Sequence, residues 1–186
     1  MTFRQDVDQD TTRKHIALFT DVSRETKIGI SVLEALEIYA KLLCKWQTKL
    51  NLVSRNSLNT LWTRHILDSA QLIPYLPDSP VKIIDIGSGA GLPGIILAIL
   101  TTHDIHLVEA DQRKCAFLRT AVRETGATAT IHNERIEALA DMNPDIITAR
   151  ALAPLDKLLE LTRQHHNEQL QFLFLKGKTA KQELTS

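Results

Sequence analysis

Asp85-Ile86-Gly87-Ser88-Gly89-Ala90-Gly91-Leu92-Pro93-Gly94 is the stretch that decides the fold. It follows the apolar run Val81 to Asp85 and leads straight into Ile95 to Leu100. Glycines therefore sit where a strand must turn into a helix and where backbone must come close to a ligand. A dinucleotide fingerprint would place its third glycine three residues after Gly89, and Leu92 stands there instead. The spacing is Gly-x-Gly-x-Gly with Asp85 leading. A carboxylate ahead of the glycines repels a pyrophosphate but can face an ammonium group, which favours the methionine end of S-adenosylmethionine over NAD.

Working outward, short β-type runs alternate with helical ones. After VKIID come IHLVE, ATATIH, DIITA and LQFLFL, with helices expected at 92–101, 111–125, 134–141 and 154–166. Such alternation predicts an α/β fold: a doubly wound, mostly parallel sheet of Rossmann-like type with right-handed crossovers. Asp111 and Gly126 bracket one crossover as N-cap and C′ residues, and Pro154 suits the first turn of another. Glu109 ends the second strand 109 − 91 = 18 residues past Gly91, where an acid can accept hydrogen bonds from two ribose hydroxyls. The plainer alternative makes Asp85 a turn cap and Glu109 a solvated strand end.

Residues 1–80 read as a helical cap and 81–186 as the cofactor-binding domain, together one compact unit. Ser31 and Glu34 form a capping box, and Val32, Leu36, Tyr39, Leu43, Trp46 and Leu50 follow in steps of four and three. From Ser57 to Ile73, Leu58, Leu61, Trp62, His65 and Ser69 make one stripe, ended by Pro74, Pro77 and Pro80. The segment before Ser31 is looser.

Composition bounds the chemistry. With 22 basic and 22 acidic residues there is no overall basic excess, so any RNA contact must come from a local patch. Cys44 and Cys115 are too far apart for a disulfide framework and lack companions for a metal site, so no metal is expected. The polar start and the lack of a long apolar run predict a cytoplasmic chain without a membrane partner, and a monomer.

In an open parallel sheet the ligand sits outside the carboxyl ends of the strands. Thr148-Ala149-Arg150-Ala151 and Leu175-Lys176-Gly177-Lys178 are therefore expected at the pocket. Arg150-Ala151-Leu152-Ala153-Pro154 is unlike the Asn- or Asp-Pro-Pro-aromatic motif used on exocyclic amines, which argues against such an acceptor. Arg150 and Lys176 are the candidates for fixing the acceptor by positioning, and Arg64, His65, Arg113, Lys114 and Lys176 for contacting RNA. Each has a bland reading beside it: His65 as a packed, hydrogen-bonded residue, Arg64 with Asp68 as an ion pair, and the cations as a solvated face.

Trp46, Asn51-Leu52, Arg64-His65-Ile66-Leu67-Asp68-Ser69, the loop with its Leu-Pro-Gly ending, Arg135-Ile136-Glu137, Arg150 to Leu155 and Leu175-Lys176-Gly177 together resemble the GidB/RsmG ribosomal RNA small-subunit methyltransferases. The resemblance covers about residues 31 to 178. It implies methyl transfer from S-adenosylmethionine to N7 of a guanine in 16S rRNA, within the small ribosomal subunit. It also implies cofactor contacts at Gly87, Leu92, Ile136, Glu137 and Arg150, beside the Asp85, Gly89 and Glu109 read from the loop. N7 carries an in-plane lone pair and no proton, so no strong general base is required. Members of the family continue past the Lys-Gly with a helix and antiparallel strands, whereas the tail from Lys178 to Ser186 shows no strand pattern, so those strands are expected to be missing. Two other readings stay open: a methyltransferase for a small molecule or protein, and a non-catalytic cofactor- or ribosome-binding module.

Overall fold

The computed structural model describes residues 6–176. Gly177 and the polar tail with its expected lack of strands lie outside the described residues. Five strands form one parallel sheet: β1 (Lys82–Ile86), β2 (Asp104–Val108), β3 (Ala129–His132), β4 (Ile146–Arg150) and β5 (Gln171–Leu175), in the order β3-β2-β1-β4-β5. The order reverses between β1 and β4, so the loops after these two strands open a crevice at the carboxyl edge.

Alternation along each strand feeds two cores. Ile83, Ile105, Leu107 and Ile146 face a large cluster with α2 (Val32–Gln47), α4 (Gly94–Leu100) and α5 (Gln112–Thr125). Ile84, Ile86, Val108, Ile147 and Ala149 face a smaller one with Leu158 of α6 (Leu155–Leu161) and with Ile136 and Leu139. Each buried aliphatic side chain is worth roughly 1.5–3 kcal/mol, which makes the periodicity of the strands the main source of their register.

The N-terminal third is built as its residues suggest, with two local surprises. The Ser31 hydroxyl accepts from the Glu34 amide and starts α2, whose apolar stripe buries Leu36, Tyr39 and Leu43. Trp46 of this helix meets Phe117 of α5 edge-on at 5.8 Å. The segment read as loose before Ser31 contains a helix, α1 (Asp6–Ile16), whose Ile16 reaches the large core. The stretch from Ser57 onward is not one regular helix. It runs as a 3-10 helix (Arg55–Thr60), a π-helical turn (Trp62–Leu67), a single α turn α3 (Asp68–Ala70) and a 3-10 turn (Ile73–Tyr75).

One expected helix is absent. Residues 134–141 form turns, tied by Ala138 and Leu139 amides to the Arg135 carbonyl. The Gln164 side chain donates to the carbonyls of Ile136 and Leu139, replacing the partners a helix would supply. Asn143 follows with φ +47 and ends any helical continuation. Among the described residues no helix is long and apolar enough to cross a membrane.

Candidate active site

The glycine loop turns as its composition demands. Gly91 has φ +78, and a Cβ there would lie 2.5 Å from Ile95 Cδ1. Gly87, at φ +62, sits under Leu152, whose Cδ1 would be 2.6 Å from an added Cβ. Leu152 is carried there by the turn after β4, where Ala151 adopts φ +52. The loops after β1 and β4 thus touch across the reversal point.

Two side chains brace the loop and a third the rim beside it. Glu109, at the end of β2, accepts from the Gly89 amide at 2.9 Å and from the Asp111 amide at 2.8 Å. Each carboxylate oxygen keeps a further lone pair for a ligand hydroxyl. Tyr39 donates its hydroxyl to the Ala90 carbonyl at 2.8 Å from the opposite layer, and burial pushes its phenol upward. Gln47 clamps the neighbouring rim, donating to the Val53 carbonyl and accepting from the amides of Leu52 and Val53. Sequence reading placed Tyr39 only on an apolar stripe and did not single out Gln47. A hydroxyl or amide on a buried stripe must find a partner, which was the available signal.

Asp85 is fully buried beneath the loop, where Oδ1 accepts from the Thr148 hydroxyl at 3.0 Å and Oδ2 has no hydrogen-bond partner. Burial raises its carboxyl to about 6, against the opposing pull of Ser88, Thr148, the Gly94 amide and Arg150. The sequence marks this aspartate; only packing makes it an acceptor short of a donor.

Arg150, from the end of β4, reaches across to the π-helical turn. Its Nη2 lies 2.8 Å from His65 Nδ1, and its Nη1 donates to the Arg64 carbonyl at 3.3 Å and faces Asp68 Oδ2 at 3.4 Å. The simple Arg64–Asp68 ion pair is corrected accordingly: Asp68 pairs with Arg150, and its other oxygen accepts from Gln71. Burial and the charges of Arg150 and Arg64 lower His65 to about 4, so the ring is neutral at physiological pH. Lys176 donates to the Ala153 carbonyl at 2.6 Å.

These groups border one open cleft of about 1150 Å³. Gly87, Gly89, Leu92, Glu109, Ile136, Glu137, Arg150, Lys176, Arg64, His65 and Lys114 all line it, as do Ser57 and Leu152. Two of the expected site residues lie elsewhere. Asp85 is below the loop and not on the cleft wall. Arg113 points outward from the first turn of α5, its side chain 76% exposed beside Asp111. The cleft is lined by carboxylates, Asp68, Glu109 and Glu137, and by cations, Arg64, Lys114, Arg150 and Lys176, a set suited to a ligand bearing hydroxyls and to a polyanionic partner.

The sequence model of the GidB family, described as rRNA small subunit methyltransferase G, matches residues 32–186. Proteins named ribosomal RNA small subunit methyltransferase G are similar over most of the chain. That of Paramagnetospirillum magneticum is 50% identical over 87% of this chain and 80% of its own length. That of Gluconobacter oxydans is 52% identical over 89% and 82%. Among solved structures, a ribosomal protein L11 methylase from Lactobacillus delbrueckii superposes with a TM-score of 0.53 at 21% identity, covering 66% of this chain and 67% of its own. The magnesium protoporphyrin IX methyltransferase of Synechocystis, with bound SAM, gives 0.51 at 10% identity, covering 68% and 70%. At these identities the likeness is one of fold, the Rossmann-like fold of methyltransferases.

Proposed function

Because the chain belongs to the GidB family of rRNA small subunit methyltransferases, we propose that its cleft binds S-adenosylmethionine and directs methyl transfer to N7 of a guanine in 16S rRNA. The substrate is the small ribosomal subunit, in the cytoplasm. The observation that carries this reading is that Gly87, Glu109, Ile136 and Arg150, from the carboxyl ends of four separate strands or the loops after them, face one cleft at the strand reversal.

The residues fit the cofactor. Glu109 has lone pairs left for ribose hydroxyls, and Ile136 and Glu137 flank the place for the adenine edge. When bound, S-adenosylmethionine supplies an electrophilic methyl on its sulfonium. Everything else is positioning. The N7 lone pair needs no deprotonation, and His65, with both ring nitrogens engaged, is not poised as a base. Arg150 fixes the reacting groups, while Arg64, Lys114 and Lys176 at the mouth take RNA phosphates as a local cationic patch.

The test is transfer of labelled methyl to small subunits from cells lacking this enzyme, followed by mapping of the modified base. Label at a single guanine N7 is expected, and Arg150→Ala should lower kcat/KM by about 100-fold, equivalent to roughly 2.7 kcal/mol. Label on an exocyclic amine, or wild-type turnover in Arg150→Ala, would remove the corresponding part of the reading.

A further inference from the structure

Arg150 comes from β4, but its bearing is set by His65 and the Arg64 carbonyl of the π-helical turn and by Asp68 just after it. The Arg150 Nη2 lies 2.8 Å from His65 Nδ1. On the far side of the ring, Nε2 is 2.8 Å from Ser57 Oγ, and that hydroxyl donates to the Ser54 carbonyl at 2.7 Å. A guanidinium has only N–H donors, so Nδ1 must present a lone pair. The ring proton is then on Nε2 and is donated to Ser57, whose own proton is already given to Ser54. One tautomer satisfies the whole chain. His65 is 6% exposed and both ring nitrogens are engaged, so the ring has little freedom to turn.

We propose that His65 is a positioning residue for methyl transfer: its Nε2–H tautomer, locked by Ser57, holds the Arg150 guanidinium in its bearing on the cleft. The proposal rests on the reading of Arg150 as a group that contacts cofactor or guanine. It assigns the histidine neither acid–base chemistry nor direct RNA contact. Its effect passes through a lone pair aimed at an arginine from a different layer of the molecule.

Asparagine and glutamine separate the two ends of the ring. In His65→Asn the carboxamide oxygen falls near the place of Nδ1 and keeps an acceptor for Arg150. In His65→Gln the amide nitrogen falls near Nε2, keeping the bond to Ser57 and losing the acceptor. With circular dichroism and thermal melting showing both variants folded, His65→Asn should retain kcat within a few-fold. His65→Gln should lose up to about 100-fold, the cost of a misplaced group, with a smaller change in KM for the small subunit. Independently of turnover, a long-range proton–nitrogen spectrum of the ligand-free protein at neutral pH should show the Nε2–H tautomer. The Nδ1 resonance should move in Arg150→Ala, and the two tautomers should mix in Ser57→Ala. A wild-type ring protonated on Nδ1, or wild-type kcat in His65→Gln alongside an inactive Arg150→Ala, would overturn the proposal. Full activity in Arg150→Ala would instead remove Arg150 from the site, and the role of His65 with it.

Discussion

At Asp85, burial opposes the charge that an aspartate ordinarily carries. Its carboxyl sits at about 6 in the folded chain because burial penalises the charge, above the 3.8 of an ordinary aspartate. Between these values the folded state holds a proton that the unfolded chain has released, so stability falls as pH rises through this window and stays lower above it. The loss is about 3 kcal/mol at most, from 1.36 kcal/mol for each unit of difference. Asp85→Asn should be free of this loss, so its stability relative to wild type should grow between pH 4 and 6.5. Urea unfolding at the two ends of that range checks it, and a constant difference would show that Asp85 does not titrate there.

At the scale of elements, the glycine loop depends on a helix from another layer. α2 starts at its Ser31 cap and ends with Gln47 holding the Leu52–Val53 rim, and midway Tyr39 ties down Ala90. Tyr39→Phe leaves the packing against Phe117 but strips the Ala90 carbonyl of its donor. A loss of about 1–2 kcal/mol in unfolding free energy and a several-fold weaker cofactor affinity are expected from one buried hydrogen bond. Calorimetry on the pair reads both, and unchanged affinity would mean the loop keeps its shape without the hydroxyl. Local pattern served well for α2 and α5, where caps and periodicity agree, and where Asp111 accepts from the amides of Arg113 and Lys114 as its N-cap position requires. It misled at 134–141, where an apolar pair, Ile136 and Leu139, is spaced as in a helix but is buried by turns that Gln164 completes from across the chain. The stripe from Leu58 to Ser69 is equally compatible with α, 3-10 and π turns over so few residues, and tertiary contacts chose among them.

Across the whole molecule, the N-terminal helices and the sheet share the larger core, and the cleft is lined by both: Leu52, Arg64 and His65 from the N-terminal part, Glu109, Ile136 and Arg150 from the carboxyl edge of the sheet. A ligand bound there is selective for the folded state. S-adenosylmethionine or its demethylated product at a hundred times its Kd should therefore add about 2.7 kcal/mol to stability. For a chain of this size that is roughly a 5–10 °C rise in Tm. Differential scanning fluorimetry with and without ligand is the check, and no rise at saturation would take the cofactor out of this cleft.

The strands, the main crossovers, the glycine loop and its acidic partner Glu109 were determined by local sequence, because period, capping and glycine spacing are properties of consecutive residues. Cofactor class and membership of an rRNA methyltransferase family were legible through the company of motifs such as Leu92-Pro93-Gly94 and Arg150-Ala151. What only the tertiary structure decided are the pairings between distant segments: Arg150 with His65 and Asp68, Tyr39 with Ala90, Gln164 with the 134–141 turns. A lone arginine, tyrosine or glutamine has many possible partners along a chain, and packing brings one of them within hydrogen-bonding reach.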